Sequence, residues 1–263
     1  HTGDVPHAPR VLVIDSGLLG QLEGVQAKYL KHIFVRGGVP AGTDAPPPGT
    51  GGTTPAVTSP LRTASEVASL ERVLGDASPE LAPADTSKDD MAFWLYSSGT
   101  TGRPKGAVHL HHDMIVAADL YAQATLRLKE EDVSFSVAKL FFAYGLGNGL
   151  YFPLRTGGTT VMLSERPTPE AVYAALDQHQ PTVFYSVPTS YLALLHQAEK
   201  TGRTSLGRVR VCVSAGEPLP KHLYETWLER FGVEIVDGIG STEILHIYIS
   251  NRPGRVIAGS TGQ

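Results

Sequence analysis

The stretch from residue 91 to residue 236 alternates short apolar runs with longer amphipathic segments, and this order constrains the fold most strongly. Runs rich in β-branched and aromatic residues predict buried strands, whereas apolar residues three and four positions apart predict helices. The predicted strands are 91–96, 133–138, 159–163, 182–186, 209–214 and 233–236, and the predicted helices are 113–128, 169–179, 191–200 and 221–231. Alternating strands and helices favour an α/β fold with a mostly parallel sheet and flanking helices.

The first part of the chain has a weaker pattern. It predicts strands over 10–15 and 32–35 and helices over 25–30 and 65–74. Residues 37–60 are dominated by Gly, Pro and Thr, a composition that cannot bury a core and that predicts a surface loop or linker. We therefore expect a partial N-terminal subdomain with this linker over residues 1–88 and an α/β core over residues 89–263.

Composition excludes several classes of protein. The chain has 22 Lys and Arg against 26 Asp and Glu, so it lacks the broad basic surface of a typical nucleic-acid binder. No apolar run approaches the roughly 18 residues that a membrane span needs. The single cysteine, Cys212, excludes an internal disulfide and fits a reducing compartment, so we expect a cytoplasmic protein with Cys212 in its core.

The segment YSSGTTGRPKG at residues 96–106 predicts a phosphate-binding loop. Its glycines allow backbone N–H groups to converge on an anion, its hydroxyls add donors, and Lys105 adds a positive charge. It is not a Walker A loop, because Lys105 is followed by Gly106 rather than by Ser or Thr. The competing interpretation is a flexible Ser/Gly surface loop, for which the sequence Pro-Lys-Gly is atypical.

This segment resembles the phosphate-binding signature YTSGTTGxPKG of the adenylate-forming acyl-CoA synthetases, with Ser97 in place of the usual threonine. The segment VSAGEPL at 213–219 resembles the family's adenine loop. The segment DGIGSTE at 237–243 resembles its YGxTE signature, with Ile239 where tyrosine is common. Three motifs in the family's order form a specific pattern. The resemblance implies part of the N-terminal domain of such a synthetase.

Three further segments resemble the benzoate-CoA ligases within that family. They are VHLHHDM at 108–114, KLFFAYGLGN at 139–148 and EILHIYISN at 243–251. The resemblance implies that ATP and an aromatic carboxylate give an acyl-adenylate and pyrophosphate, and that coenzyme A then takes the acyl group. The 4-hydroxybenzoate and 2-aminobenzoate ligases share much of this sequence, so the ring substituent stays open.

The resemblance also implies a role for individual residues. The phosphates of ATP fall to Ser97, Ser98, Gly99, Thr100, Thr101, Gly102 and Lys105. The rest of the nucleotide falls to Ser214, Ala215, Gly216, Glu217, Pro218, Asp237, Gly238, Ile239 and Thr242. The acyl pocket falls to Phe142, Ala143, Tyr144, Gly145, Gly240, Ser241 and His246. Glu243 is expected to hold Mg²⁺, because a carboxylate beside a triphosphate needs a cation. Lys105 and Glu243 are the catalytic candidates.

Some of these residues have a simpler interpretation. An aromatic cluster such as the one in residues 140–150 is commonly core, although its glycines interrupt helix and strand packing and favour a flat pocket. His109, His111 and His112 lack the spacing of zinc ligands and are expected to be structural. His246 suits the carboxylate end of an acyl site and a buried core position almost equally well.

The resemblance finally implies segments that this chain does not contain. These are a ribose-binding aspartate, a hinge and a small C-terminal domain with a catalytic lysine, none of which is found before Gln263. We therefore expect a fragment that also lacks an N-terminal portion and that is inactive alone. A non-catalytic nucleotide-binding module is an alternative. An amino-acid-specific adenylating enzyme is disfavoured, because residues 141–146 contain no Asp to bind a substrate amine.

Overall fold

A computed structural model describes residues 11–22, 30–37, 66–98 and 104–262 of the chain. The chain divides into two compact units, residues 1–84 and residues 85–263, which are described separately. Almost all of the helix expected over 25–30, and of the linker expected over 37–60, lies outside the described residues.

The first unit contains a three-stranded parallel sheet in the order β1-β2-β3. Its elements are β1 (Val11–Asp15), a 3₁₀ helix (Ser16–Leu22), β2 (His32–Arg36), β3 (Glu66–Ser69) and α1 (Leu70–Asp76). The sequence predicted a helix over 65–74, and this prediction is correct only for its second half. Residues 66–69 pair with residues 32–35 as a strand, and the helix begins after Ser69, whose Oγ accepts a hydrogen bond from the Arg72 amide (3.3 Å). Pairing with a distant strand overrode the local helical pattern.

The second unit begins with an antiparallel hairpin of β4 (Met91–Ser98) and β5 (Pro104–Leu110). The sequence predicted a buried strand at 91–96, and this was wrong in one respect. Trp94 is 40% exposed and Tyr96 is 74% exposed. Among the described residues, β4 pairs only with β5 and does not join the larger sheet.

A six-stranded sheet forms the centre of the second unit. Its strands are β6 (Val133–Ser136), β7 (Thr159–Val161), β8 (Val183–Ser186), β9 (Val211–Ser214), β10 (Ile235–Gly240) and β11 (Ile247–Ser250). They lie in the order β11-β10-β9-β8-β6-β7, and every neighbouring pair is parallel except β10 with β11. The mostly parallel sheet predicted from the sequence is confirmed.

Helices cover both faces of this sheet. They are α2 (His111–Ala117), continued by a π-helical segment (Ala118–Gln123); α3 (Ala143–Leu146), a second π-helical segment (Gly147–Tyr151) and α4 (Phe152–Thr156); α5 (Pro169–His179); α6 (Pro188–Thr201); and α7 (Lys221–Phe231). Neighbouring residues of a strand enter different cores: Phe184 packs with Leu176 and Trp227, whereas Tyr185 packs with Phe152. Burial of both faces explains why these strands read as continuous apolar runs.

Two segments differ from the sequence-based expectation. The glycines of the segment 140–150 were expected to interrupt helix and strand packing, yet the segment is helical from Ala143 onward and continues in π-helical turns. The expected helix 113–128 ends near Gln123. Cys212 is fully buried, as predicted. Among the helices of the described residues, none is long and apolar enough to cross a bilayer.

An ion pair between the buried Asp132 and the exposed Arg210 connects the amino ends of three neighbouring strands. Asp132 precedes β6, Thr182 precedes β8 and Arg210 precedes β9. Oδ1 of Asp132 accepts hydrogen bonds from Oγ1 of Thr182 (2.6 Å) and Nε of Arg210 (2.9 Å), and Oδ2 accepts from Nη2 of Arg210 (2.7 Å). Burial alone would raise the pKa of Asp132, but the hydrogen bonds from Arg210 and Thr182 outweigh it and lower the pKa.

Candidate active site

Three polar side chains lie side by side where the central parallel strands end. Ser186 closes β8, Ser214 closes β9, and Asp237 lies opposite Ser214 on β10. All three residues are buried, and none of their side-chain oxygens has a hydrogen-bond partner among the described residues. Buried polar groups without partners are rare in native proteins. In open α/β sheets, ligands bind at this edge.

Asp237 is the acidic member of this row. Burial raises the pKa of its carboxyl group to about 6. The Ser214 hydroxyl and the Leu219 amide offset part of this increase, although neither completes a hydrogen bond with the carboxylate oxygens. The carboxyl group is thus half-protonated near pH 6 and mostly ionised at neutral pH, and both of its oxygens still lack a hydrogen-bond donor among the described residues.

A pocket of about 220 Å³ adjoins these strand ends. It is lined by Phe142, Ala143, Tyr144, Ala215, Gly216, Gly240, Ser241, Thr242, His246 and Ile247. The hydroxyl of Tyr144 donates to the carbonyl oxygens of Val213 (3.0 Å) and Ser186 (3.3 Å). These bonds fix the ring against two strands and occupy the hydroxyl, so Tyr144 offers the pocket its aromatic ring.

His246 forms one wall of the pocket and is itself 3% exposed. Its ring packs against the rings of Tyr121, Tyr144 and Phe152, with centroids 5.2, 5.5 and 4.5 Å away. Nε2 lies 3.1 Å from Oδ1 of Asn148, while Nδ1 has no partner among the described residues. Burial lowers the pKa of His246 to about 3, so the ring is neutral and, with this carboxamide orientation, Nε2 carries the proton. His246 therefore contributes shape and one free acceptor rather than positive charge.

Two glycines make room for this histidine. A Cβ atom at Gly147 would lie 2.8 Å from Nε2 of His246, and a Cβ atom at Gly240 would lie 2.7 Å from its carbonyl oxygen. Real Cβ contacts do not reach such distances. Any side chain at either position would push the wall of the pocket out of place.

The pocket brings together nine of the predicted site residues and leaves others apart. Inside it are six predicted acyl residues and three predicted nucleotide residues, namely Phe142, Ala143, Tyr144, Gly240, Ser241, His246, Ala215, Gly216 and Thr242. Outside its lining are Gly145, Ser214, Glu217, Pro218, Asp237, Gly238, Ile239 and Glu243. Ile247 lines the pocket but was missed, although its place in the alternating apolar run after Glu243 was a usable signal.

Of the predicted phosphate residues, the structure describes Ser97, Ser98 and Lys105, which lie on the two strands of the β4–β5 hairpin. Gly99, Thr100, Thr101 and Gly102 lie outside the described residues, and of Ser98 only the backbone is described. Ser97 pairs with Lys105 across the hairpin. Lys105 is exposed and stands at the start of β5, directly beyond the undescribed segment.

Glu243 is exposed and lines a second pocket, of about 440 Å³, together with His109, Asp113 and Arg252. Among the described residues, no group of three or more His, Cys, Asp or Glu side chains is placed to hold a metal ion. A single exposed carboxylate suits Mg²⁺, which usually keeps several waters and binds through one or two carboxylates plus substrate phosphates.

His109 connects the hairpin to the turn that contains Glu243. It lies on β5, is 2% exposed, and its Nε2 is 2.8 Å from the carbonyl oxygen of Thr242. Its Nδ1 is 3.4 Å from Oδ2 of Asp113. Sequence reasoning treated His109 as structural and did not foresee this bond, because Thr242 lies 133 positions further along the chain.

An α/β sheet with a pocket and unpartnered polar groups at the carboxyl ends of its strands is typical of a ligand-binding domain. Residues 39–263 match the family model described as AMP-binding enzyme. The chain belongs to this AMP-binding enzyme family, which confirms the adenylate-forming family that the three motifs predicted.

Individual relatives point in the same direction. The chain is 46% identical over 258 residues to a benzoate–CoA ligase of Thauera aromatica, covering 97% of the chain and 44% of the relative. It is 49% identical over 181 residues to a 4-hydroxybenzoate–CoA/benzoate–CoA ligase of Rhodopseudomonas palustris, covering 69% and 33%. The chain thus spans less than half the length of these curated relatives.

Two solved structures share the fold. A benzoate CoA ligase from Burkholderia xenovorans LB400 matches with a TM-score of 0.73 and 39% identity, over 97% of this chain and 45% of that one. An anthranilate CoA ligase in complex with anthranoyl-AMP matches with a TM-score of 0.81 and 34% identity, again over 97% and 45%. The chain therefore corresponds to less than half of each enzyme.

Proposed function

We propose that the protein activates an aromatic carboxylic acid of the benzoate type with ATP and transfers the acyl group to coenzyme A. The observation that carries this proposal is the pocket in which the predicted acyl-binding residues meet two residues of the predicted adenine loop. The acyl-binding site and the ATP-binding site are both proposed to lie within residues 89–263. A cytoplasmic location, supported by the lone buried Cys212, is part of the same proposal.

The acid is proposed to bind in the 220 Å³ pocket. Its volume is below the range of about 300–1,000 Å³ typical of drug-sized ligands, which suits a single aromatic ring. The hydroxyl of Tyr144 is hydrogen-bonded to two backbone carbonyls, so its aromatic ring lines the pocket. Ala143 and Gly240 are small and leave the space beside this ring open. Flat, apolar and glycine-lined surfaces of this kind favour a planar substrate.

The nucleotide is proposed to lie across the strand ends. Ala215 to Pro218 follow β9 and form the proposed adenine loop, and the buried Asp237 carboxylate lies on the next strand. The exocyclic amino group of a purine is a donor of the kind that the unpartnered Asp237 and Ser214 oxygens lack. Binding would then satisfy groups that are costly to leave without hydrogen bonds.

The phosphates are proposed to lie at the hairpin, where Lys105 and the Ser/Thr/Gly segment 97–102 supply charge and donors. Glu243 would hold Mg²⁺, which supplies charge neutralisation at phosphate oxygens.

The proposed reaction has two steps. A carboxylate oxygen of the acid attacks the α-phosphorus of ATP, and the bond to pyrophosphate breaks. The thiolate of coenzyme A then attacks the acyl carbon, and AMP leaves. The residues of this chain contribute mainly positioning and charge stabilisation, which dominate phosphoryl-type transfer.

Pyrophosphate release by the protein expressed from its complete gene tests this function. With ATP and Mg²⁺, we expect release with benzoate, 4-hydroxybenzoate or 2-aminobenzoate and little with acetate. ATP binding without pyrophosphate release for any of these acids would contradict the proposal and would favour a non-catalytic nucleotide-binding module.

The ring substituent has two specific alternatives. The relative from Rhodopseudomonas palustris is named for 4-hydroxybenzoate as well as benzoate, and the anthranilate ligase gives the higher TM-score of the two structures. Ranking kcat/KM for the three acids decides among them. We place benzoate first, because the relative that aligns with 97% of the chain is named a benzoate–CoA ligase.

A further inference from the structure

The hydrogen bond between His109 and Thr242 joins two parts of the proposed phosphate site that are far apart in sequence. Since a carbonyl oxygen only accepts, Nε2 of His109 donates to it across 2.8 Å. The ring is buried, and it also packs on Phe93 with centroids 5.2 Å apart. The bond therefore connects β5 of the hairpin to the segment that follows β10.

The acceptor belongs to a tight and unusual turn. The Thr242 carbonyl also accepts a hydrogen bond from the Leu245 amide at 3.2 Å, which closes the turn 242–245 around Glu243. Leu245 has a positive φ of 70°, which is uncommon for a non-glycine residue, and its side chain is 1% exposed. Such backbone persists only where its surroundings hold it, and it concentrates at functional sites.

The donor is itself held in orientation. Oδ2 of Asp113 accepts the Leu110 amide at 2.9 Å and lies 3.4 Å from Nδ1 of His109. Asp113 lies in the first turn of α2, so the position of the imidazole is set by the junction between β5 and α2. The ring thus behaves as a rigid connection rather than as a mobile surface group.

The same strand face carries the proposed phosphate lysine. Side chains alternate between the two faces of a strand, so Lys105, Ala107 and His109 lie on one face of β5. That face meets the Thr242 turn through His109. A displacement of the hairpin relative to this turn would therefore change the separation of Lys105 and Glu243.

We propose that His109 is a positioning residue that holds the Glu243 turn in register with Lys105, so that both reach the same polyphosphate. This rests on the proposed function, since it assigns His109 to the ATP half of that reaction. His109 is not among the residues that line the acid pocket, and its hydrogen bond to that lining goes to the backbone carbonyl of Thr242. Its loss is expected to weaken the use of Mg·ATP and to leave binding of the acid unchanged.

Two amide variants of the complete gene product test this proposal. The side-chain amide of His109→Gln takes the place of Nε2 and can donate to Thr242, whereas the shorter amide of His109→Asn takes the place of Nδ1. We expect His109→Asn to lower kcat/KM for Mg·ATP about tenfold, equivalent to about 1.4 kcal/mol. We expect His109→Gln to stay within about threefold of the unmodified protein, and the KM for benzoate to stay constant in both.

Asp132→Asn is the matched control, because it breaks a buried polar cluster at the opposite edge of the sheet. It is expected to lower the melting temperature without changing either KM. Hydrogen exchange at the Leu245 amide supplies a readout that does not depend on turnover. Exchange is expected to be faster in His109→Asn only.

Three results would each overturn the positioning role. The first is an equal loss of kcat/KM for Mg·ATP in His109→Gln and His109→Asn, and the second is a parallel loss of kcat/KM for Mg·ATP and for the acid. The third is a His109→Asn variant that, like Asp132→Asn, loses melting temperature without a change in either KM. Such results leave the proposed function intact, provided that the unmodified protein releases pyrophosphate. If the unmodified protein releases none, the proposed function fails first. The exchange rate at Leu245 then still reports whether His109 holds the turn.

Discussion

Nε2 of His246 lies 3.1 Å from Oδ1 of Asn148, and this pair joins the π-helical segment after α3 to the residues that follow β10. Nδ2 of Asn148 in turn donates to Oγ of Ser136 at 3.3 Å. The chain of three side chains runs from β6 to the wall of the proposed acyl pocket. It holds a neutral imidazole against three aromatic rings, so the shape of the pocket depends on a buried polar pair as well as on apolar packing.

Asn148→Leu removes the acceptor for Nε2 of His246. We expect the free energy of unfolding to fall by about 1–3 kcal/mol, because a buried donor is left without a partner. Urea unfolding of the complete gene product measures the loss. The double variant Asn148→Leu/His246→Phe removes both polar groups and should lose less than the sum of the two single variants; an additive loss would contradict the pairing.

Ala143→Leu adds bulk to a wall of the 220 Å³ pocket. Overpacking typically costs about 1–3 kcal/mol, and here it should appear as a higher KM for benzoate and a still higher KM for para-substituted benzoates. The KM for ATP should hardly change. Ala174→Leu, on the exposed side of α5, is the control. An equal loss for every acid and for ATP, with a lower melting temperature, would instead place Ala143 in the core.

Lys105→Ala removes the positive charge at the start of β5. Loss of one such contact typically costs about 2.7–4 kcal/mol of transition-state stabilisation, so we expect pyrophosphate release to slow by about a hundredfold to a thousandfold. Stopped-flow measurement at saturating acid tests this. Lys221→Ala, which removes an exposed lysine from α7, should leave the rate unchanged. Equal rates for Lys105→Ala and the unmodified protein would exclude Lys105 from the phosphate site.

Asp132 should give the fold an acid-sensitive contribution. Its pKa is lowered in the folded chain below the ordinary value of 3.8, so its stabilisation is complete above that value and is lost as the pH falls through the folded pKa. Asp132→Asn should cost about 1–3 kcal/mol at pH 7 and show a shallower loss of stability below about pH 4. Unfolding curves from pH 7 to pH 3 measure both. The same acid slope in both proteins would contradict the assignment.

Local sequence patterns were sufficient for the elements that local physics determines. The helix Pro169–His179 matches its predicted bounds, because Thr168 caps it and its apolar residues recur with helical spacing. The central strands were recognisable because both of their faces are buried. The strands at 66–69 and 247–250 were not recognisable from the sequence. Residues 66–69 form a strand by pairing with residues 32–35, which are distant in the sequence, and residues 247–250 form one by pairing with β10 across a turn.

In the candidate site, too, the sequence predicted some features and not others. Resemblance to the family signatures located the pocket residues at and after the ends of β9 and β10. The hydrogen bonds that hold those residues in place could not be predicted from the sequence. His109 with Thr242 and Tyr144 with Val213 join segments 133 and 69 positions apart, and one sequence carries no signal of which carbonyl a buried donor will meet.

The transfer of oxygen from the acid to AMP tests the proposed chemistry most directly. The complete gene product would be incubated with ATP, Mg²⁺, coenzyme A and benzoate labelled with ¹⁸O in both carboxylate oxygens, and the AMP analysed by mass spectrometry. Attack of a carboxylate oxygen on the α-phosphorus, followed by attack of the thiol on the acyl carbon, predicts one ¹⁸O atom in each AMP formed during thioester synthesis. Thioester formation with unlabelled AMP, or with the label in inorganic phosphate, would contradict activation through an acyl-adenylate.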